Sequence, residues 1–152
     1  NPRVGLLNIG EEPGKGDDLT SAAYDLLAEE EGIHFIGNIE GRDIVKGECD
    51  VIVCDGFVGN ILLKFYESVA GYIVDLLQTE LDKVPDRKVN LDHVFRVLDY
   101  AEYGGAPLLG VNGIVMISHG RSSSKAIKNA IRAARREIEH NIVASIKKEI
   151  GA

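Results

Sequence analysis

The apolar run Val51-Ile52-Val53-Cys54 passes without a spacer into Asp55-Gly56-Phe57-Val58-Gly59-Asn60 and then into a long helical periodicity. A strand that ends in Asp-Gly and opens straight into a helix aims backbone N–H groups outward at the carboxyl edge of a sheet, where α/β proteins bind ligands. The rest of the chain repeats the alternation. Residues 3–9 read as a short buried strand closed by Gly10, and a polar loop leads to a helix over 18–31, capped by Asp17 or Asp18 and ended by Gly32. Residues 33–36 give a second strand signal, 42–46 a short helical turn and 51–54 a third strand. Strands alternating with helices predict a parallel sheet, hence an α/β fold.

Beyond the third strand, residues 58–83 are helical in pattern and unusually apolar, with Ile61, Leu62, Phe65, Val69, Tyr72, Ile73, Leu76 and Leu77 exceeding a single stripe. Part of that helix must bury against something beyond one core face. Residues 84–90, with Pro85 and mixed charges, read as a loop before a further helical pattern over 92–100. Gly104-Gly105-Ala106-Pro107 breaks the chain, 114–117 read as another strand, and 122–149 as one long helix with the stripe Ile127, Ile131, Ala134, Ile138, Ile142, Ile146 and Ile150.

Composition narrows the function classes. With 152 residues and 45% apolar side chains, the chain has material for one core, and its start at Asn1-Pro2-Arg3 reads as a piece of a longer protein. A net charge of −7 argues against a nucleic-acid partner, which calls for an excess or a stripe of Lys and Arg. Cys49 and Cys54 flank one strand with no CxxC pair and no His at ligand spacing, so neither a disulfide framework nor a zinc site is expected, and a reducing cytoplasm fits. No apolar run approaches the roughly 18 residues that span a bilayer.

Three strand ends carry small and polar residues: Asn8-Ile9-Gly10; Asp55-Gly56 with Gly59-Asn60; and Ser118-His119-Gly120 with Ser122 to Ser124. On one edge of a parallel sheet they would form a phosphate or acyl site, because glycine admits a ligand to the backbone while Asn, Ser and Lys supply donors. Each site taken alone is equally well an ordinary turn. The stretch Gly10-Glu11-Glu12-Pro13-Gly14-Lys15-Gly16 imitates a P-loop one residue short, without the following Ser or Thr and with Asp17 and Asp18 set to repel phosphate, so no triphosphate site is expected. Lys15 is either a mobile cation beside the strand edge or a solvated loop lysine. His119 either donates to a ligand or caps a local helix start. Cys54 has no base in reach of the sequence pattern and reads as a small core residue.

In order along nearly the whole chain, the segments Pro2 to Gly10 with Lys15-Gly16, Asn38 with Arg42-Asp43, Asp55 to Asn60, Tyr103-Gly104-Gly105-Ala106 through Leu109-Gly110, and His119-Gly120 resemble the PlsX family. These are the phosphate:acyl-ACP acyltransferases of bacterial phospholipid synthesis. The resemblance covers the carboxy-terminal half of that family. It implies that residues 1–152 are the C-terminal portion of a single Rossmann-like layered domain, with a mostly parallel sheet of the isopropylmalate dehydrogenase/phosphotransacetylase-like kind and long apolar helices after the third strand.

The resemblance also implies transfer of a long-chain acyl group from acyl carrier protein to inorganic phosphate, giving an acyl phosphate for a membrane acyltransferase. No cofactor is implied. Lys15 would hold phosphate or the developing charge and Asn60 would donate to phosphate or oxyanion, while Asn8, Gly10, Asp55, Gly56, Gly59, Gly104, Gly105 and His119 would line the substrate site. A cytoplasmic homodimer resting peripherally on the membrane is implied too, with the helix after Asn60 meeting lipid, a second subunit or its own core. Arg121, Lys125, Lys128 and Arg132 are a candidate dock for the acidic carrier, or an ordinary solvated face. A phosphate acetyltransferase-like enzyme using acetyl-CoA, and an inactive dimerising or membrane-touching module, are the competing readings.

Overall fold

The computed structural model describes residues 1–83 and 91–151, which fall into two compact units, Asn1–Leu63 and Lys64–Ala152. The expected loop over 84–90 lies outside the described residues.

In the first unit, β1 (Arg3–Leu7) is the central strand of a three-stranded sheet between β2 (His34–Ile39) and β3 (Val51–Val53). Both pairings are parallel. Val4 and Leu6 of β1 and Ile39 of β2 are buried, the two β1 residues sharing one face by the two-residue period of a strand. β1 stops two residues before the expected Ile9: Asn8 still donates its N–H to the Ile39 carbonyl (2.9 Å), but its side chain turns to the loop that follows. β2 instead runs three residues past its expected end at Ile36. The register slips there: Val4 faces Phe35 and Gly5 faces Gly37, leaving Ile36 as a bulge at which the sequence pattern appeared to end.

Helix α1 (Asp18–Glu29) starts where the sequence says and for the expected reason. Asp17 Oδ1 accepts from the Thr20 N–H at 2.9 Å while Thr20 Oγ1 accepts from the Asp17 N–H at 2.9 Å, a reciprocal cap that satisfies two otherwise orphaned donors. Tyr24 of α1 packs edge-on against Phe35 of β2, with ring centroids 5.2 Å apart. Arg3 ties the outer strand down. Its backbone N–H and guanidinium donate to the Asp50 carboxylate at 2.8–3.1 Å, and the Asp50 N–H returns a bond to the Arg3 carbonyl at 2.8 Å. Those bonds hold the Asp50 carboxyl down at about 2. A short helical turn, Ile44–Lys46, joins β2 to β3.

Helix α2 (Gly56–Asp82) begins at the end of β3 and runs for 27 residues with Ala70 as its one buried side chain among the described residues. Among those residues no helix is long and apolar enough to cross a membrane. The second unit continues with α3 (Asp92–Leu98), a helical turn Tyr100–Glu102, β4 (Ala106–Pro107), β5 (Met116–Ile117), α4 (Ser124–Glu139) and α5 (Ile142–Glu149).

Three expectations are corrected here. The glycine-rich break at 104–107 contains a strand, and the strand expected at 114–117 pairs with it antiparallel instead of joining a parallel sheet. Closing a ribbon between such near neighbours costs little chain entropy, and Leu108 N–H extends the ladder to the Val115 carbonyl at 2.8 Å. The single helix expected over 122–149 is broken between α4 and α5, where Asn141 adopts the left-handed conformation at φ 52°. Apart from glycine, Asn is the residue that enters this region most readily. Lastly, the buried face of α4 is Ala126, Ala130 and Ala133, while Ile127, Ile131 and Ile138 of the expected stripe lie exposed.

Candidate functional site

The carboxyl ends of β1 and β2 are cross-linked to the loop that follows β1 by two side-chain amides. Asn8 Nδ2 donates to the Lys15 carbonyl at 2.9 Å and to Asn38 Oδ1 at 3.2 Å, while Asn8 Oδ1 accepts from the Ile9 N–H at 2.8 Å. Asn38 is buried and passes the connection on, donating from Nδ2 to the Glu12 carbonyl at 2.9 Å. The two bonds made by Asn38 are partly buried, where an unsatisfied polar group would be costly, and with the more exposed bonds of Asn8 they fix the loop's course. Gly16, at φ 94°, completes it: a Cβ there would run into Thr20 Oγ1 and Asn8 Oδ1.

This arrangement anchors the backbone of Lys15 and leaves its side chain in solvent. Among the described residues the Lys15 ammonium has no carboxylate within ion-pair distance, although four acidic residues share its loop and helix start. Two of those charges are engaged elsewhere: Glu11 pairs with Arg42 at 3.0 Å, and Asp17 is held below the usual carboxylate range by its bonds from Thr20. The same polar edge carries Asp43, whose buried carboxylate accepts from Lys46 Nζ (2.7 Å) and the Glu40 N–H (2.9 Å). Those bonds, the Lys46 one foremost, lower its pKa. Gly10 is buried, and a Cβ there would approach the side chains of Glu12 and Lys15.

β1 and β3 run parallel in register, Val4 to Val51 and Leu6 to Val53, so Asn8 and Asp55 leave the sheet at the same edge. Asp55 then caps α2, its Oδ1 accepting from the Phe57 and Val58 N–H groups at 2.8 and 3.0 Å. Two of the donors that this helix start was expected to offer a ligand are therefore taken by the protein's own carboxylate. Gly59 allows α2 to begin close to β3, since a Cβ there would stand 2.9 Å from Cys54 Sγ. Burial, helped by Asp55, pushes the Cys54 thiol up, as befits a packed side chain and not a nucleophile. Asn60 stands exposed just inside the helix, and Gly56 exposed at its first position.

Gly104, Gly105 and His119 belong to the second unit. Gly104 is buried at φ 81°, and a Cβ there would collide with the backbone of α4 at Ala126, Asn129 and Ala130. Asn129 Nδ2 donates to the Ala101 carbonyl at 2.8 Å and Ser118 Oγ to the Gly104 carbonyl at 2.9 Å. A Cβ on Gly105 would meet Ile117 and Ser118. The glycine pair serves close approach of backbone to backbone. His119 follows β5, and its Nε2 lies 2.9 Å from Glu67 Oε1 on α2. Of the basic stripe, Lys125 is already held by Asp99, at 2.8 Å, and by Glu102, and the Asp99 bond is the main reason its pKa is raised.

Thus two of the three expected strand ends share the edge of one sheet, while the third follows a strand of the antiparallel ribbon. Sequence reasoning gave no role to Asn38 or Glu67. Asn38 had a signal, being one of the residues on which the family resemblance rests; Glu67 had none, being one acid among several on a helix. A cavity of about 200 Å³ lies in the second unit between residues 108–115 and α5, lined by Leu109, Val111, Ile142 and Ile146 among others, and no sequence candidate borders it. Among the described residues no cluster of three His, Cys, Asp or Glu is placed to hold a metal ion.

The chain is similar to phosphate acyltransferases from several bacteria. It is 53% identical over 158 aligned residues to the phosphate acyltransferase of Halothermothrix orenii, covering 99% of this chain and 47% of that protein. Identity is 50% over 157 residues to that of Clostridium perfringens, covering 99% and 46%, and 53% over 156 residues to that of a Synechococcus species, covering 98% and 42%. The chain thus spans a little under half the length of the curated relatives it matches. The family model described as fatty acid synthesis protein matches residues 1–145, and the chain therefore belongs to that family, the PlsX-type family its motifs resemble.

Proposed function

We propose that the chain supplies the carboxy-terminal half of a phosphate acyltransferase that moves a long-chain acyl group from acyl carrier protein to inorganic phosphate. The observation that carries this reading is the amide network of Asn8 and Asn38, which anchors the Lys15 loop at the sheet edge and leaves its cation unneutralised. Phosphate must be held despite its charge, and an ammonium without an ion-pair partner among the described residues, on a fixed backbone, is suited to that. Lys15 holds the phosphate, and Asn60 donates to phosphate or to the oxyanion formed when a phosphate oxygen attacks the thioester carbonyl. Asn8 and Gly10 shape the loop, and Asp55, Gly56 and Gly59 set the start of α2. The thiolate of the carrier leaves directly, so the transfer calls for no metal, nucleotide or covalent acyl-enzyme. The enzyme acts in the cytoplasm as a homodimer in peripheral contact with the membrane, where a membrane acyltransferase takes its acyl phosphate.

The test is an acyl-phosphate assay on the full-length enzyme, trapping product with hydroxylamine, with long-chain acyl-ACP or acetyl-CoA and with or without phosphate. Product from acyl-ACP that depends on phosphate supports the reading; release of CoA thiol from acetyl-CoA alone replaces it with an acetyltransferase. Lys15→Ala and Asn60→Ala are expected to lower turnover about 100-fold each, the usual cost of losing one preorganised donor. Full turnover in either variant removes that residue from the chemistry.

A further inference from the structure

Arg42, one of the residues on which the family resemblance rests, is held at the sheet edge from its own side. Its guanidinium lies 3.3 Å from Glu40 Oε1 and 3.9 Å from Asp43 Oδ1, and Asp43 is itself buried and bonded to the Glu40 N–H and to Lys46. Glu11 comes to it from the other side, from the loop that carries Lys15, and accepts from Arg42 Nη2 at 3.0 Å. The side chains of Arg42 and Glu11 are 62% and 63% exposed, so their pairing adds little to stability. What it decides is where a mobile carboxylate spends its charge.

Glu11 stands four residues before Lys15 on one loop. The Lys15 stem folds back over Gly10, the neighbour of Glu11: a Cβ on Gly10 would stand 3.1 and 3.4 Å from Lys15 Cγ and Cδ, and 2.9 Å from Glu12 Oε2. Glu12 therefore lies beside the stem, Asp17 is occupied by Thr20, Asp18 opens α1, and Glu11 is the acid of this loop that a partner from outside the loop draws away. A carboxylate resting on the ammonium would cancel the charge that attracts phosphate and take up its donors. Resting on the reading in which Lys15 holds phosphate, we propose that Arg42 is a positioning residue for phosphate: by occupying Glu11 it keeps that carboxylate off the Lys15 ammonium. Arg42 acts through Glu11 and Lys15 and does not touch the substrate. Without it, Glu11 swings to Lys15 and must be displaced before phosphate binds. Saturating phosphate achieves that displacement, so the device bears on binding and leaves the acyl transfer that follows unchanged.

The experiment measures acyl phosphate formation from long-chain acyl-ACP over a range of phosphate concentrations, in the full-length enzyme, for wild type, Arg42→Gln, Arg42→Lys, Glu11→Gln and the double variant Arg42→Gln with Glu11→Gln. Arg42→Gln should raise KM for phosphate about five-fold, the effect of one unit charge at contact distance in water, with kcat nearly unchanged. Arg42→Lys, which keeps a cation opposite Glu11, should stay near wild type. Glu11→Gln alone should leave KM at or below the wild-type value, and the double variant should return to it although Arg42 is still missing. Neither a loss of loop structure nor a direct contact between Arg42 and phosphate would be repaired by that second change. An active wild type alongside an Arg42→Gln variant of unchanged KM, a Glu11→Gln variant of raised KM, or a double variant as impaired as Arg42→Gln overturns the inference alone. A wild type that makes no phosphate-dependent product overturns the acyltransferase reading and this role with it.

Discussion

Glycines and amides divide the work at the level of single residues, and the division differs from what their letters suggest. Gly104-Gly105 reads as a place where a ligand nears the backbone, yet in the structure the approaching body is helix α4. A Cβ on Gly104 would overlap the α4 backbone, and its φ of 81° strains any L side chain. Gly104→Ala should therefore destabilise the fold by about 2–4 kcal/mol, combining backbone strain with overpacking. A urea titration checks this, and an unchanged midpoint would mean that α4 yields easily. Lys15, by contrast, was legible as a cation on a glycine-flanked loop. What could not be read was why it stays put, because its anchor is Asn38, distant in sequence and hidden inside a strand whose bulge at Ile36 masks its extent. Non-local hydrogen bonds leave no periodicity behind.

Elements whose ends depend on local chemistry were legible. The Asp17 cap and its partner Thr20 stand only three letters apart, and α1 begins accordingly. The end of α4 was not, because the isoleucine stripe continues through Asn141 while the backbone turns left-handed beneath it. If that conformation is what separates α4 from α5, Asn141→Gly should be tolerated and Asn141→Val should cost about 1–2 kcal/mol, read as a shift in the urea midpoint. A variant series in which Val matches Asn would place the break in packing instead. The strand pair β1–β3 carries a pH dependence of defined sign. The Asp50 carboxyl lies at about 2 in the folded chain, against an ordinary 3.8, chiefly because Arg3 donates to it. Its contribution is thus complete above about pH 4 and fades as pH falls through about 2, more weakly at high salt because both side chains are half exposed. Asp50→Asn should flatten stability against pH in that window; a curve parallel to wild type would remove the pair from the acid response.

The whole molecule poses a problem of apolar surface that its own fold leaves open. Helix α2 carries Val58, Phe65 and Tyr72 at seven-residue spacing, with Val69 and Leu76 four residues on from Phe65 and Tyr72, all five exposed, Phe65 and Tyr72 to 66% and 67%. Residues spaced by seven and by four lie along one face of a helix. The sequence announced that this helix must bury more than one core face, but apolarity does not name a partner, which is why lipid, core and second subunit stayed open. A stripe at this spacing matches the seam by which two helices pack side by side, and an interface between copies would bury it along its length. Lipid contact is favoured by basic residues flanking an apolar face, whereas Glu67, Asp75 and Glu80 lie on this helix. The full-length enzyme should therefore sediment as a dimer, and Phe65→Glu combined with Tyr72→Glu should convert it to a folded monomer at micromolar concentration. If the double variant stays dimeric yet no longer pellets with phosphatidylglycerol vesicles that wild type does follow, the stripe faces the membrane and the dimer is built elsewhere.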